Sequence, residues 1–124
     1  MVIEYNDLVI EHFRNPRNVG VLEDCSVEAT DGSPACGDML TMYLKIEDCV
    51  IVDVRFKSYG CASNIATASM LTEIIKGRSV EFAKNVGWKD VVRELGGLPS
   101  IKTHCSVLAI DVLKKAINSY EFSC

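Results

Sequence analysis

The spacing of apolar residues changes once along the chain, and this change constrains the fold more than any other feature. Apolar side chains occupy every second position in residues 40–46 and again in residues 50–56. This is the period of a strand with one buried face. After Cys61 the apolar residues recur every three or four positions, which is the period of a helix. Strands followed by helices predict an α+β domain, with helices packed on one face of a small antiparallel sheet.

The two alternating segments are predicted to form a hairpin with a turn at Glu47 and Asp48. The residues expected on its buried face are Leu40, Met42, Leu44, Ile46, Val50, Val52, Val54 and Phe56. The segment "SVEAT", residues 26–30, is predicted to add a third strand.

Helices are predicted at both ends of the chain and between them. The first carries an apolar stripe that includes Tyr5 and ends near Pro16, and another runs from Cys61 to Gly77. Two short helices are expected at residues 82–86 and 89–95, followed by a long C-terminal helix. The stripe of that last helix contains Leu108, Ala109, Val112, Leu113, Ala116, Ile117 and Tyr120. With no internal repeat or linker, residues 1–124 are predicted to form a single domain.

Charge and hydropathy exclude several classes of function. The net charge is -4, and no run of Lys or Arg is present, so nucleic acid is not expected as a partner. The opening "MVIEYNDLVIEHF" has acidic residues among its apolar ones, which is unlike a signal peptide. No apolar run approaches the about 20 residues that span a bilayer. The sequence therefore predicts a soluble, cytoplasmic protein without a membrane partner.

Six cysteines stand far apart, at positions 25, 36, 49, 61, 105 and 124. In a reducing compartment such thiols are expected to be buried, metal-bound or reactive rather than paired as disulfides. Cys25 and Cys49 each follow two acidic residues, which disfavours the thiolate, so both are interpreted as packing or incidental residues. With the terminal cysteine also set aside, Cys36, Cys61 and Cys105 are the candidates for chemistry.

The setting of each of these three thiols is suited to a ligand. Cys61 and Cys105 begin predicted helices, where unpaired N–H groups favour a thiolate. Cys36 lies in the loop "GSPACGDM", and Asp38 would point to the same side if the backbone there is extended. Gly37 would then leave room for a ligand between the two side chains.

Three thiols and a carboxylate from separate elements predict a site for zinc, copper(I) or an iron–sulfur cluster. The close cysteine spacings of ferredoxins and zinc ribbons are absent. A hard oxygen ligand binds such metals less rigidly than a fourth thiolate, which suits a carrier that releases its metal. His104 is a competing ligand beside Cys105, and Lys102 is expected to favour the Cys105 thiolate.

Each of these residues also has an ordinary structural interpretation. A lone cysteine is often only a small core residue, and an aspartate after glycine is common in turns. His12 lies on an apolar stripe and is expected to be a packing residue. The methionines Met39, Met42 and Met70 fit core positions better than a copper site.

Four segments carry a resemblance to a known family: "HFRNPRNVG", "GSPACGDM", "RFKSYGCASNIATAS" and "KTHCSVLAIDVLKKAI". Over residues 5–120 the chain resembles the IscU/NifU-N family of iron–sulfur cluster assembly scaffolds. The resemblance implies an α+β fold with a three-stranded antiparallel sheet. It also implies that Cys36, Cys61 and Cys105 hold the nascent cluster, that Asp38 affects its stability and release, and that His104 can join the metal site.

The function implied by the resemblance is that of a scaffold and not of an enzyme. Such proteins receive sulfur as a persulfide from a cysteine desulfurase (IscS/NifS-like) that uses pyridoxal phosphate, gather iron and electrons, and build a [2Fe–2S] cluster. They then pass the cluster to acceptor apoproteins, and zinc can occupy the site in its place. Cys105 is predicted to accept the sulfur, because His104 and Lys102 favour its thiolate, with Cys61 second. Self-association is left open, as monomer, dimer or trimer.

Departures from the family pattern bear on partners and on the alternatives. Ser100 and Ile101 stand in "LPSIK" where relatives served by an Hsp70-type chaperone carry Leu-Pro-Pro-Val-Lys, which counts against chaperone-driven release. The main alternative is a zinc-bound, SufU-like sulfur acceptor, but that branch has an insertion before the third cysteine and lacks the histidine. Here the insertion is absent and His104 is present, which favours the scaffold branch. A structural domain with inert thiols is the third hypothesis.

Overall fold

The structure, a computed structural model, describes residues 5–33 and 37–120. The three strands of the described chain are β1 (Val27–Ser33), β2 (Asp38–Glu47) and β3 (Val50–Tyr59). The helices are α1 (Asp7–Arg14), α2 (Ala62–Ile75), α3 (Val80–Lys84), α4 (Trp88–Glu94) and α5 (Thr103–Ser119), with a 3₁₀ turn at Ser100–Lys102 before α5. The α+β class, the third strand and the long C-terminal helix predicted from the sequence are therefore confirmed.

The sheet is antiparallel with strand order β1-β2-β3. Leu40, Met42 and Leu44 of β2 are fully buried, as their alternation predicts. The tight turn consists of Asp48 and Cys49, both with positive φ, so the predicted turn was placed one residue too early. Paired left-handed residues are typical of two-residue hairpin loops.

The prediction for the buried face of β3 is wrong at the first residues of the strand. A bulge shifts the register between Lys45 and Ile46, and Ile46 pairs with Ile51. Ile51 is consequently buried, whereas Val52 is 39% exposed. An extra residue on one strand reverses which side chains face the core, and the simple alternation resumes only at Val54.

Helices α2 and α5 pack against the sheet and against each other, and α1 packs on α2. Their apolar residues and those of the sheet form one buried cluster, to which Phe56 and Leu113 contribute. Helix α1 is capped at its N-terminus by Asn6, whose side chain accepts a hydrogen bond from the Val9 N–H. Among the described helices, none combines the length and the apolar character needed to cross a bilayer.

Candidate metal centre

Three element ends converge at one end of the sheet. Asp38 is the first residue of β2, and its neighbour Met39 pairs with Tyr59, the last residue of β3. From there the chain passes through Gly60 to Cys61, which is the N-cap residue of α2. The first turn of α5 brings Cys105 to the same place. Strand pairing and helix starts thus assemble residues that lie far apart in sequence.

The ligand atoms of this cluster are close enough to share one ion. An oxygen of Asp38 and the sulfurs of Cys61 and Cys105 all lie within 4.8 Å of one another. The two sulfurs are 3.7 Å apart. Two thiolates at about 2.3 Å from a tetrahedral ion are about 3.8 Å apart, so this pair already has the spacing of bound ligands.

Ser63 connects the two thiols. Its hydroxyl lies 3.1 Å from the sulfur of Cys61 and 3.2 Å from that of Cys105, and its side chain is fully buried. A hydroxyl both donates and accepts hydrogen bonds, so Ser63 can donate to a thiolate and accept from a thiol at the same time. The residue therefore holds the pair together when no ion is present.

The two thiols differ in protonation. Burial raises the pKa of Cys61, but hydrogen bonds from Ser63 and the Asn64 N–H, a contact with Cys105 and the charge of Lys102 outweigh it, so the pKa is lowered overall. Burial is the main cause that raises the pKa of Cys105 to about 12. The first negative charge of the pair therefore resides on Cys61.

This result corrects one argument made from the sequence. His104 and Lys102 were expected to keep Cys105 as the thiolate, but Cys105 is fully buried and its pKa is raised. The charge of Lys102 lowers the pKa of Cys61, and the same interaction is the main cause that raises the pKa of Lys102. Which thiol accepts sulfur stays a prediction. The reason given for Cys105, that His104 and Lys102 favour its thiolate, does not hold in this structure because burial raises its pKa.

His104 lies at the rim of the cluster. Its Nε2 is 3.1 Å from Oδ2 of Asp38 and 3.5 Å from the sulfur of Cys105, and its Nδ1 is 3.2 Å from the carbonyl oxygen of Ile101. The side chain of His104 is 55% exposed, against 18% for Asp38. The imidazole is thus a partner of the carboxylate here, while Asp38 is the group that meets both thiols.

The buried side chain of Asn64, which approaches Asp38 at Gly60, has polar atoms without hydrogen-bond partners. Of the buried side-chain nitrogen and oxygen atoms in the described residues, three make no hydrogen bond: Oγ of Ser58, and Nδ2 and Oδ1 of Asn64. Leaving a buried polar group unpaired costs about 1–3 kcal/mol. Orphaned atoms next to a soft donor set fit a site that is completed by a bound group.

Gly60 allows the close approach of the carboxylate and α2. A Cβ at this position would lie 2.5 Å from Oδ1 of Asp38 and 2.5 Å from Nδ2 of Asn64. Beside Gly60 there is an open cavity of about 600 Å³, which is also lined by Gly37, Met39 and Tyr59. The two glycines contribute no side chain to the lining of this cavity, and both are chain neighbours of a cluster ligand, Gly37 of Asp38 and Gly60 of Cys61.

The structure brings together every predicted site residue that it describes. Asp38, Cys61 and Cys105 form the cluster, with His104 beside it. Cys36 lies outside the described residues. Gly37 has a φ of +81°, so the backbone before Asp38 is not extended there, contrary to the geometric argument from the sequence.

Among the described residues, Cys25, Cys49 and His12 lie outside this cluster. Cys25 is a free, partly buried thiol whose pKa is raised by burial, in keeping with a packing residue. Cys49 is disulfide-bonded, so for this residue the expectation that the cysteines are not paired as disulfides is wrong. His12 is buried and its Nδ1 is hydrogen-bonded to the Ser69 hydroxyl, as expected for a packing residue. Met42 and Met70 are buried, while Met39 lines the cavity.

Ser63, Asn64 and Gly60 contribute to the site without having been predicted from the sequence. A signal was present, because α2 begins "ASNIATAS" and buries an unusual number of polar side chains for a helix with so apolar a character. Those buried polar residues are Ser63, Asn64, Thr67, Ser69 and Thr72. Polar residues inside an apolar helix indicate specific hydrogen-bond partners or a site.

Fold and site together define a class of small α+β proteins with a thiol and carboxylate centre at one end of a three-stranded sheet. Residues 4–123 match the family described as the NifU-like N terminal domain. The chain belongs to this family.

Relatives of high identity have scaffold names. The "Iron-sulfur cluster assembly scaffold protein IscU" of Aquifex aeolicus is 51% identical over 122 residues, covering 97% of this chain and 78% of that protein. The protein of the same name from Azotobacter vinelandii is 44% identical over 121 residues, covering 94% of each chain.

Solved structures share the fold. A protein described as a putative iron–sulfur cluster assembly scaffold for the SUF system, from Fervidobacterium islandicum, has a TM-score of 0.76 at 20% identity, covering 91% of this chain and 96% of that one. A nitrogen-fixing NifU-like protein (N-terminal) from Brucella abortus has a TM-score of 0.70 at 22% identity, covering 91% of each chain. At these identities the likeness concerns the fold alone.

Proposed function

We propose that this protein is a scaffold on which an iron–sulfur cluster is assembled and from which the cluster is transferred to acceptor apoproteins. The observation that carries the proposal is the cluster of Asp38, Cys61 and Cys105, whose ligand atoms lie within 4.8 Å of one another. Family membership and relatives of 51% and 44% identity with scaffold names support it. The 124 residues act as one scaffold domain, and the cargo is a [2Fe–2S] cluster.

The ligands in this proposal are Cys36, Cys61, Cys105 and Asp38, with His104 as the competitor of Asp38. Soft thiolates hold the irons, and the harder carboxylate is the ligand that leaves most readily. Ser63 hydrogen-bonds both described thiols, so it stabilises the charge that they carry before the irons arrive. Zinc, which accepts the same donor set, can bind in place of the cargo.

The chemistry that releases sulfur is assigned to a partner. A cysteine desulfurase breaks the carbon–sulfur bond and delivers a persulfide, and this chain accepts that sulfur without being an enzyme. The lower pKa of Cys61 supports it as the thiolate that attacks the outer sulfur of the desulfurase persulfide in the metal-free protein, with Cys105 as the second thiol. The step forms a persulfide on Cys61, breaks the S–S bond of the donor and releases the desulfurase cysteine as a thiolate. This order reverses the prediction from the sequence.

Cluster assembly and transfer provide the test. The protein is incubated without oxygen with iron, sulfide and a reductant, desalted, and mixed with an apoferredoxin in the presence of an iron chelator. We expect a coloured protein with labile sulfide near iron in amount, and formation of the ferredoxin chromophore despite the chelator. Variants with serine at positions 61 and 105 serve as matched controls. A colourless wild-type protein contradicts the proposal.

The alternative function is a zinc-bound sulfur acceptor that passes persulfide onward. Its support is the donor set, which suits zinc as well as iron. The relative described for the SUF system is only 20% identical, whereas the scaffold relatives exceed 40%. Zinc retained through purification, with desulfurase turnover that stops when zinc is removed, would favour this alternative over the scaffold.

A further inference from the structure

The side chain of Asn64 has no role in the function proposed above, although it is buried beside the site without a hydrogen-bond partner. Its side chain is completely buried, and neither Nδ2 nor Oδ1 has a hydrogen-bond partner or contact with solvent. A carboxamide offers two donors and two acceptor lone pairs, and buried polar groups in native proteins are nearly always paired. An amide in this condition indicates a partner that arrives with another state of the site.

The nearest candidate for that partner is the carboxylate of Asp38. Nδ2 of Asn64 and Oδ1 of Asp38 each lie 2.5 Å from the point that a Cβ of Gly60 would occupy. The two atoms are therefore separated by at most twice that distance, with no side chain at Gly60 between them. They are not hydrogen-bonded in this structure, because the carboxylate is engaged through Oδ2 with Nε2 of His104 at 3.1 Å.

We propose that Asn64 is a positioning residue that selects Asp38 over His104 as the ligand beside the thiols. An ion bound by Cys61 and Cys105 draws one carboxylate oxygen of Asp38 away from His104. The other oxygen then accepts a hydrogen bond from Nδ2 of Asn64, which holds the carboxylate in its ligating orientation. Residues that hold metal ligands in this way strengthen binding without touching the metal.

The competitor in this selection is already in place. Nε2 of His104 lies 3.5 Å from the sulfur of Cys105, so the imidazole reaches the site when the carboxylate does not. Asn64 therefore decides between a carboxylate and an imidazole, that is, between a more labile and a tighter ligand. The inference rests on the proposed function, because it assigns a role at the same centre.

The test uses zinc ions and the intact protein. Histidine labelled with ¹⁵N reports whether Nε2 of His104 binds the metal, and Asp38→Ala supplies the reference spectrum of the imidazole-bound site. We expect an unligated His104 in zinc-bound wild type and a ligated one in Asn64→Leu, which replaces the amide by an apolar group of similar size. Thr72→Val, a buried polar residue farther along α2, is the matched control and retains the wild-type spectrum.

A second measurement gives the size of the effect of Asn64 on zinc affinity. With His104→Ala as background no imidazole can compensate, and Asn64→Leu should weaken zinc binding about 10- to 100-fold in a competition titration. Thr72→Val in the same background should change it less than about twofold. Because the amide is unpaired without metal, the melting temperature of metal-free Asn64→Leu should not fall below that of wild type. Asn64→Ser replaces Asn64→Leu if the latter does not fold.

Each outcome decides the question. Identical His104 spectra in wild type and Asn64→Leu, with unchanged affinity in the background lacking His104, overturn the inference. So does a ligated His104 in wild type, or a wild-type protein that binds no zinc at these thiols. The proposed function is tested separately by loading wild type with iron and sulfide, so a wild type that loads while Asn64→Leu behaves like wild type refutes this inference alone.

Discussion

The sulfur of Cys61 lies 3.7 Å from the sulfur of Cys105, although 44 positions separate them in sequence. The fold itself brings the two thiols to this spacing, since one caps α2 and the other lies in the first turn of α5. Repulsion between two thiolates at this distance means that the pair keeps a proton when no cation is bound. An arriving cation removes that constraint, so metal binding is expected to release a proton.

Thiol reactivity should differ between these two residues in the metal-free protein. The pKa of Cys61 is lowered, whereas burial raises that of Cys105 to about 12. We expect iodoacetamide at pH 8 to modify Cys61 faster than Cys105 by more than about tenfold, because the thiolate is the nucleophile. Peptide mapping by mass spectrometry over time measures both rates. Ser63→Ala should move the pH profile of Cys61 upward, and equal rates for both thiols in wild type would contradict the assignment.

Removal of the carboxylate should slow cluster loss. In Asp38→Ala the most labile ligand is absent, and His104, already 3.5 Å from the sulfur of Cys105, can take its place. We expect the cluster absorbance of the reconstituted variant to decay at least about threefold more slowly than that of wild type. Asp53→Ala, which removes an aspartate paired with Arg55 and Lys76 away from the site, is the control. Faster loss in Asp38→Ala would show that the carboxylate stabilises the cluster.

Gly60→Ala should impair the site while leaving the fold intact. The new Cβ would lie 2.5 Å from atoms of Asp38 and Asn64, so both side chains must move. The melting temperature should fall only modestly, because the two shortest contacts are with side-chain ends and the third, with Cβ of Asn64, is 3.1 Å. Zinc affinity should fall by about tenfold. Gly87→Ala is the matched control, since its Cβ would meet only Asp90 at 3.7 Å. Equal zinc affinities in the two variants would rule out a role for the close approach.

The contact between α1 and α2 should make stability depend on pH. Nδ1 of His12 lies 2.7 Å from the buried hydroxyl of Ser69, and burial is the main cause that lowers the His12 pKa from 6.5. A histidine that is harder to protonate in the folded state stabilises the fold above pH 6.5, and this contribution is lost as pH falls below that value. Denaturant unfolding at pH 8 and pH 5.5 should show a smaller difference for His12→Gln than for wild type or for His104→Gln. A pH dependence unaltered by His12→Gln would exclude this histidine as the cause.

Ser69→Ala should weaken the same contact at every pH. The hydroxyl of Ser69 also accepts the Arg17 N–H at 2.9 Å, so its loss leaves two buried or half-buried partners unpaired. We expect the free energy of unfolding to fall by about 1–3 kcal/mol. Ser119→Ala, which removes only a hydrogen bond to the Ala116 carbonyl near the end of α5, should cost less. Similar losses in the two variants would argue against a special role for Ser69.

The sequence predicts element types well because they depend on local periodicity. Alternation located β2 and the later half of β3, and the helical stripe located α5. The bulge at Lys45 and Ile46 escaped prediction, since it arises from pairing between strands and leaves no mark in the local pattern. The burial of Ile51 in place of Val52 follows from that one irregularity.

For the site, the identity of the ligand residues could be predicted from the sequence, but the order of the pKa values of Cys61 and Cys105 could not. Thiols at helix starts and a nearby carboxylate were found from residue type and position. The pKa of Cys105 depends on how deeply the first turn of α5 is buried, and the effect of Lys102 depends on which thiol it faces. Both are properties of tertiary packing, as is the unpaired state of Asn64.

The ligands of the cluster are observed most directly in a crystal structure, determined without oxygen, of the protein loaded with iron and sulfide. We expect iron bound by the sulfurs of Cys36, Cys61 and Cys105 and by a carboxylate oxygen of Asp38, with His104 displaced from that carboxylate. Iron bound at other side chains, or a loaded protein in which the sulfurs of Cys61 and Cys105 do not contact the same inorganic core, would contradict it.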